Sequence, residues 1–251
     1  MSSIGGEIPT NQYFEDIDLP ILSDGTSKVE GYDRFHNLEI DLPDEYRYQL
    51  DLTKALDISE LSELGAFAWL ECAWAAHKLK EDNALETIVF SVGDGFLIQT
   101  AKFYAFRKLV ASILNRKIRI GTRSAIYNKS KPSTESNLIK ASAEYTAAVL
   151  GGADTLTPSG VLLDDESESI RLSNNMFGLL KHESGFDKPR VYSQGSYTID
   201  QIAFSIYTKA KAHLKKMDPK TEDENWSEIV TLALSHSQER SKYITENISR
   251  V

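Results

Sequence analysis

The chain has 251 residues, enough for a sizeable core, and sets 28 Lys and Arg against 37 Asp and Glu for a formal net charge of −9. An acidic balance without a basic cluster argues against non-specific nucleic-acid binding and against an anionic membrane surface. No apolar run approaches the roughly 20 residues of a membrane span, while a phosphorylated small ligand stays open, because a helix N-terminus and a few local cations can hold one.

Residues 1–36 mix Gly, Pro, Ser and Asp with scattered aromatics (Tyr13, Phe14, Tyr32, Phe35) and show neither helical nor strand periodicity. They read as an extended N-terminal arm that packs on something, a partner included; the other reading is a disordered leader. The opening "MSSIGGEIPTNQYFEDIDLP" has no basic n-region and no apolar stretch, so no secretory signal is expected. Cys72, the single cysteine, lies in the apolar run "AFAWLECAWAA" and is expected to be a buried thiol. A reducing, cytoplasmic compartment fits it.

From residue 37 to 251 the chain alternates as one domain. "QLDLTKA" (49–55) predicts a strand, after which Asp57 is expected to cap a helix through "SELSELGAFAWLECAWAAHKLK". "ETIVFSVG" (86–93) is a nearly continuous apolar run suited to a strand covered on both faces. A helix over 96–116 follows, with apolar residues three and four apart, and then a strand over 117–123. The helix "NLIKASAEYTAAVL" ends at Gly151 and Gly152, and "ADTLT" makes another strand. Gly151 is expected in the left-handed conformation, with Gly152 allowing close packing on the sheet. Three further helices complete the chain: "SESIRLSNNMFGLLKHES", "TIDQIAFSIYTKAKAHLKKM" and "NWSEIVTLALSHSQERSKYITENISR".

Repeated strand, helix, strand predicts parallel pairing with right-handed crossovers, hence an α/β sheet or barrel. About four such units are present, whereas a closed barrel takes eight. Either the sheet stays open or another chain covers its edges. Ligands in parallel folds bind at the C-terminal ends of the strands. The polar residues placed there are Lys54, Asp94, Arg123, Thr157 and Ser159, weak candidates for an anionic ligand. "VGDGF" (92–96) could cradle phosphate but lacks the third glycine of a dinucleotide fingerprint and the lysine of a P-loop, so a tight βα turn is the favoured reading. Histidines 36, 77, 182, 213 and 236 have no metal-ligand spacing, and no metal site is expected.

Four stretches, in order, resemble the substrate-binding barrel of the methylmalonyl-CoA mutases. In "SVGDGFLIQTAKFYAFRKLVASI" the matching residues are Ala101, Lys102, Ala105, Arg107 and Leu109. In "SNLIKASAEYTAAVLGGADTLT" they are Asn137, Glu144, Ala147, Ala148 and Leu150 to Asp154. "IRLSNNMFGLLKHESGF" contributes Arg171, Asn174, Leu180, Glu183 and Ser184, and "SQGSYTIDQIAFSIYTKA" contributes Gly195, Ser196 and Tyr197. The resemblance runs over roughly 50–215 and implies a partial TIM-type barrel, the family's strands five to eight, with extra C-terminal helices. It departs from the active pattern at three loops. "DLTKALDISEL" stands where the family has a histidine-bearing turn, "RIGTRSAIY" where it has "RTHSQTSGW", and "TPSGVLLDDESES" where a loop faces the corrin. The "DxHxxG" signature of the cobalamin domain does not occur in the sequence.

The resemblance therefore implies a non-catalytic, small-subunit-like chain that binds no cofactor alone, adenosylcobalamin belonging to the family's catalytic subunit. Its expected partner is a catalytic large subunit, met through the open barrel edges and the N-terminal arm, or a second copy of itself. The alternative is a self-contained homo-oligomeric module that binds an acyl-CoA or other small anion at the strand ends.

Overall fold

The computed structural model describes residues 54–115, 118–131, 133–157, 161–186, 196–218 and 220–248. The N-terminal arm, most of the strand expected at 49–55, and Ser159 lie outside them. Four strands, β1 (Ala55–Asp57), β2 (Thr87–Val92), β3 (Arg119–Ser124) and β4 (Thr155–Thr157), pair in parallel in that order. Between and after them run α1 (Ser59–Glu63), α2 (Ala68–Glu81), α3 (Phe96–Leu114), α4 (Thr134–Leu150), α5 (Glu166–His182), α6 (Tyr197–Met217) and α7 (Glu222–Ile248). A doubly wound sheet reverses its strand order and carries helices on both faces. Here the order never reverses, so successive crossovers of one hand lay their helices on one face, as in half of a barrel.

The register separates the two faces. Ile88 and Ile120 stand side by side, as do Phe90 and Thr122, on the outer, helix-covered side. Phe90 meets the rings of Phe103 and Phe106 of α3 edge-on, with centroids 5.7 and 5.0 Å apart. On the inner side stand Val89, Gly121 and Thr155 in one row and Ser91, Arg123 and Thr157 in the next. A Cβ on Gly121 would lie 3.1 Å from Val89 Cγ2 and 3.2 Å from Thr155 Oγ1. Inner side chains of the neighbouring strands thus close over Gly121, as on the concave side of a curved sheet.

Two buried ion pairs fasten the helices to this sheet. Lys102 of α3 reaches Glu71 of α2 at 2.8 Å and donates to the Ser91 carbonyl at 3.0 Å, between the rings of Phe90 and Phe103. Burial raises the pKa of the Glu71 carboxyl above the usual carboxylate value, and the Lys102 ammonium opposes the rise. Arg107 bonds Asp154 at 2.6 Å and also the carbonyls of Gly152 and Ile118. The same Asp154 oxygen accepts the Ile120 amide at 2.7 Å, so one carboxylate ties α3 to the start of β4 and to β3. Cys72 is fully buried as expected, 3.7 Å from the Lys102 carbonyl, and burial pushes its thiol pKa up.

Three local expectations are corrected. The helix read as continuous from residue 59 breaks at Gly65, whose φ of +83° is open to glycine without strain. Its carbonyl accepts His236 Nδ1–H of α7 at 2.7 Å, and Phe67 stacks on the same imidazole. Asp57 is not the helix cap; it stands one residue before the N-cap Ile58 and accepts the Ser59 amide at 2.8 Å. The glycine pair exchanges roles. Gly151 is right-handed (φ −75°) and lies so close to α3 that a Cβ would sit 2.6 Å from Phe103 Cδ2, whereas Gly152 takes the left-handed φ of +80°.

Candidate functional site

The C-terminal ends of the strands form a mouth, and its polar groups are bonded chiefly to one another. Glu63, at the end of α1, reaches over β2: Oε1 accepts Ser91 Oγ–H at 3.0 Å, and the carboxylate also accepts the Ile126 and Tyr127 amides. This pins the loop after β3 across the mouth. Tyr127 then lies against Gly93, where any Cβ would collide with its ring and hydroxyl. The Asp94 amide donates to that hydroxyl at 3.0 Å. The Gly-Asp-Gly turn is thus a βα turn closed by a tyrosine. Left-handed Gly95 (φ +85°) caps α3 where a phosphate cradle would otherwise open.

A second hub lies beneath the loop. Glu144 of α4, nearly fully buried, accepts hydrogen bonds from Ser124 Oγ, Asn128 Nδ2 and Lys129 Nζ. Lys129 is itself enclosed, with no exposed side-chain surface, and burial lowers its pKa against the pull of Glu144. Lys140 donates to the Asn128 carbonyl, and Asn137 brackets Ser130 from both its amide and carbonyl sides. The lysines nearest the mouth are therefore engaged with groups of the same chain.

The predicted site residues do not converge. Lys54 precedes β1, so it stands at the N-terminal end of the sheet, paired with Glu86 just before β2 at 2.8 Å. That corrects its placing at a strand C-terminus. Asp94 accepts from Asn128 Nδ2 at 2.9 Å, and the Thr157 carbonyl accepts from Tyr145 at 3.3 Å. Arg123 faces the concave side, 3.5 Å from Asp57, with its Nε buried and without a hydrogen-bond partner. Ser159 lies outside the described residues. A cleft of about 340 Å³ opens beside β1, between α1, α2 and α7, walled by Leu56, Trp74 and Trp226. Its Lys78 pairs with Glu81 and Glu222, leaving an acidic rim unsuited to an anion.

The described histidines stand on helices: His77 on α2, His182 on α5, His213 on α6 and His236 on α7. None is offered by the loops following β1, β2 or β3. Among the described residues no group of three or more His, Cys, Asp or Glu is placed to hold a metal ion, and no helix is long and apolar enough to cross a membrane.

Sequence reasoning missed the functional weight of Glu63, because nothing in "SELG" distinguishes it from a solvated helix residue. Among the residues carrying the resemblance, Lys102, Arg107, Asn137, Glu144 and Asp154 turn out to be buried polar fasteners of the fold.

Comparison with known proteins agrees with that geometry. The family model for methylmalonyl-CoA mutase matches residues 66–221 of the 251. A methylmalonyl-CoA mutase small subunit from Porphyromonas gingivalis (strain ATCC BAA-308 / W83) is 31% identical over 177 residues, 60% of this chain and 29% of that protein. The chain thus spans less than a third of the length of that curated relative. With a half-barrel sheet, buried pairs at the matching motif positions and a family match over more than half its length, this chain belongs to the methylmalonyl-CoA mutase family.

Proposed function

We propose that this chain is a non-catalytic, small-subunit-like member of the cobalamin-dependent mutase family. It supports a catalytic subunit that isomerises methylmalonyl-CoA and succinyl-CoA in the cytoplasm. The observation that carries the reading is the mouth itself. Glu63 and Tyr127 close the strand ends over Gly93, and Glu144 engages Lys129, so the polar groups that would meet a substrate serve the fold. Radical isomerisation also needs a cofactor to start it and an enclosed cavity to protect the intermediate. In this proposal the catalytic subunit supplies both. The likeness to a protein named as a small subunit supports the same division of labour.

The test is a native pull-down of the tagged chain from its source cells, with co-purifying chains identified by mass. Recovery of a catalytic mutase chain in equal amount is the expected result. Conversion of methylmalonyl-CoA by the isolated chain plus adenosylcobalamin would overturn it.

A further inference from the structure

The concave face holds an unfinished layer of charge. In the pairing register Asp57 stands beside Val89 and Gly121, yet its side chain meets Arg123, two positions further along β3, at 3.5 Å. A drift of one residue per strand is the stagger of a closed parallel barrel, in which alternate strands supply the four side chains of one interior layer. Asp57 of β1 and Arg123 of β3 are two members of such a layer. Arg123 spends Nη1 on Asp57, while its Nε is buried without a hydrogen-bond partner. The outer edges of β1 and β4, three residues each, have no strand partner among the described residues.

We propose that two copies of this chain close into one eight-stranded parallel barrel, β4 of each lying beside β1 of the other. A two-fold axis along the barrel makes both seams equivalent and leaves no open edge. It also completes the layer as an alternating ring, Asp57, Arg123, then Asp57 and Arg123 of the second copy. Each guanidinium then stands between two carboxylates. A second copy is the occupant this charge pattern fits, because repeating the same four strands makes the ring alternate. The inference does not rest on the small-subunit reading: closure uses the concave face and leaves the outer helices to a catalytic partner.

Native mass spectrometry and light scattering on the full chain test it. The expected mass is twice 28.1 kDa. Asp57→Arg makes the ring wholly positive and Arg123→Asp makes it wholly negative, and each is expected to weaken the dimer roughly 100-fold, since like charges juxtaposed at an interface cost several kcal/mol. Mixed together, the two variants place opposite charges at both seams and are expected to form a heterodimer. Loss of the pair within one chain cannot produce that rescue. Both side chains are partly exposed, and circular dichroism checks that each variant folds. As a second readout on the unaltered chain, deuterium exchange in 55–57 and 155–157 is expected to slow as concentration rises. A monomer at every concentration, a dimer indifferent to both reversals, or a mixture that stays monomeric would overturn the proposal. A monomer would leave the concave face to another occupant, such as the chain's own first 53 residues.

Discussion

The two sides of the sheet use charge in opposite ways. On the outer side Lys102–Glu71 and Arg107–Asp154 are almost wholly buried, and each cation donates to at least one backbone carbonyl as well. On the inner side Arg123 and Asp57 meet loosely at 3.5 Å, with about a third and half of their side-chain surface exposed. Burying a charge is tolerable only when its hydrogen-bonding capacity is met. The outer pairs meet most of that capacity within one chain, although Arg107 Nε, like Arg123 Nε, is buried without a hydrogen-bond partner. The outer charges are thus enclosed by the fold, whereas Arg123 and Asp57 on the inner side stay partly exposed. Lys102, Arg107 and Asp154, three of the residues that carry the family resemblance, lie on the enclosed side, so they report shared architecture and say nothing of retained chemistry.

The sharpest way to break this contrast is to remove one outer cation. Lys102→Met leaves the Glu71 carboxylate buried beside apolar rings and is expected to cost about 3–5 kcal/mol, read from urea midpoints. Adding Glu71→Leu should recover most of that loss. A double variant no more stable than the single one would show that the pair is not the source of the cost.

The exchange of roles at the glycine pair offers the next test. Gly151→Ala drives a methyl into Phe103 and the Thr100 carbonyl, for an expected loss of about 1–3 kcal/mol. Gly152→Ala meets nothing closer than Arg107 Nε at 4.0 Å, so only left-handed backbone strain opposes it, about 1–2 kcal/mol. A larger loss at Gly152 than at Gly151 would contradict the helix-to-helix approach described for Gly151.

At the mouth, Glu63→Ala removes the acceptor for two loop amides and the Ser91 hydroxyl, worth about 1–2 kcal/mol. Amide exchange at Ile126 and Tyr127 should accelerate while β2 stays protected. Uniform acceleration would mean that the loop and the sheet are one cooperative unit.

The smallest expected effect is a pH slope. His213, edge-on to Trp69 and near Glu228, Lys216 and Lys220, is pulled below the ordinary imidazole range, chiefly by burial. The unfolded chain therefore takes up this proton first. Stability is complete above about pH 6.5 and declines as pH falls from there toward the folded value. His213→Gln should flatten that decline in thermal melts taken across the acidic range, and an unchanged slope would move its origin elsewhere.

Helices, strands and their alternation were legible in the sequence, because an apolar stripe every three or four residues and a short β-branched run state their own periodicity. The cap of α5 is supplied by the structure: Asp165 accepts the Glu168 amide. The side of the sheet on which Lys54 falls was not legible, since moving the start of β1 to Ala55 transfers that lysine to the opposite end of the strands. Nor could spacing reveal that Glu71 seeks Lys102 across 31 positions, or Arg107 seeks Asp154 across 47. By itself the sequence determined the parallel α/β order, the buried thiol and the family likeness, all of which are written in local pattern. Only the tertiary structure decided which charges are consumed in the fold and which face an open surface. Desolvation depends on everything packed around a group, and periodicity carries no record of that.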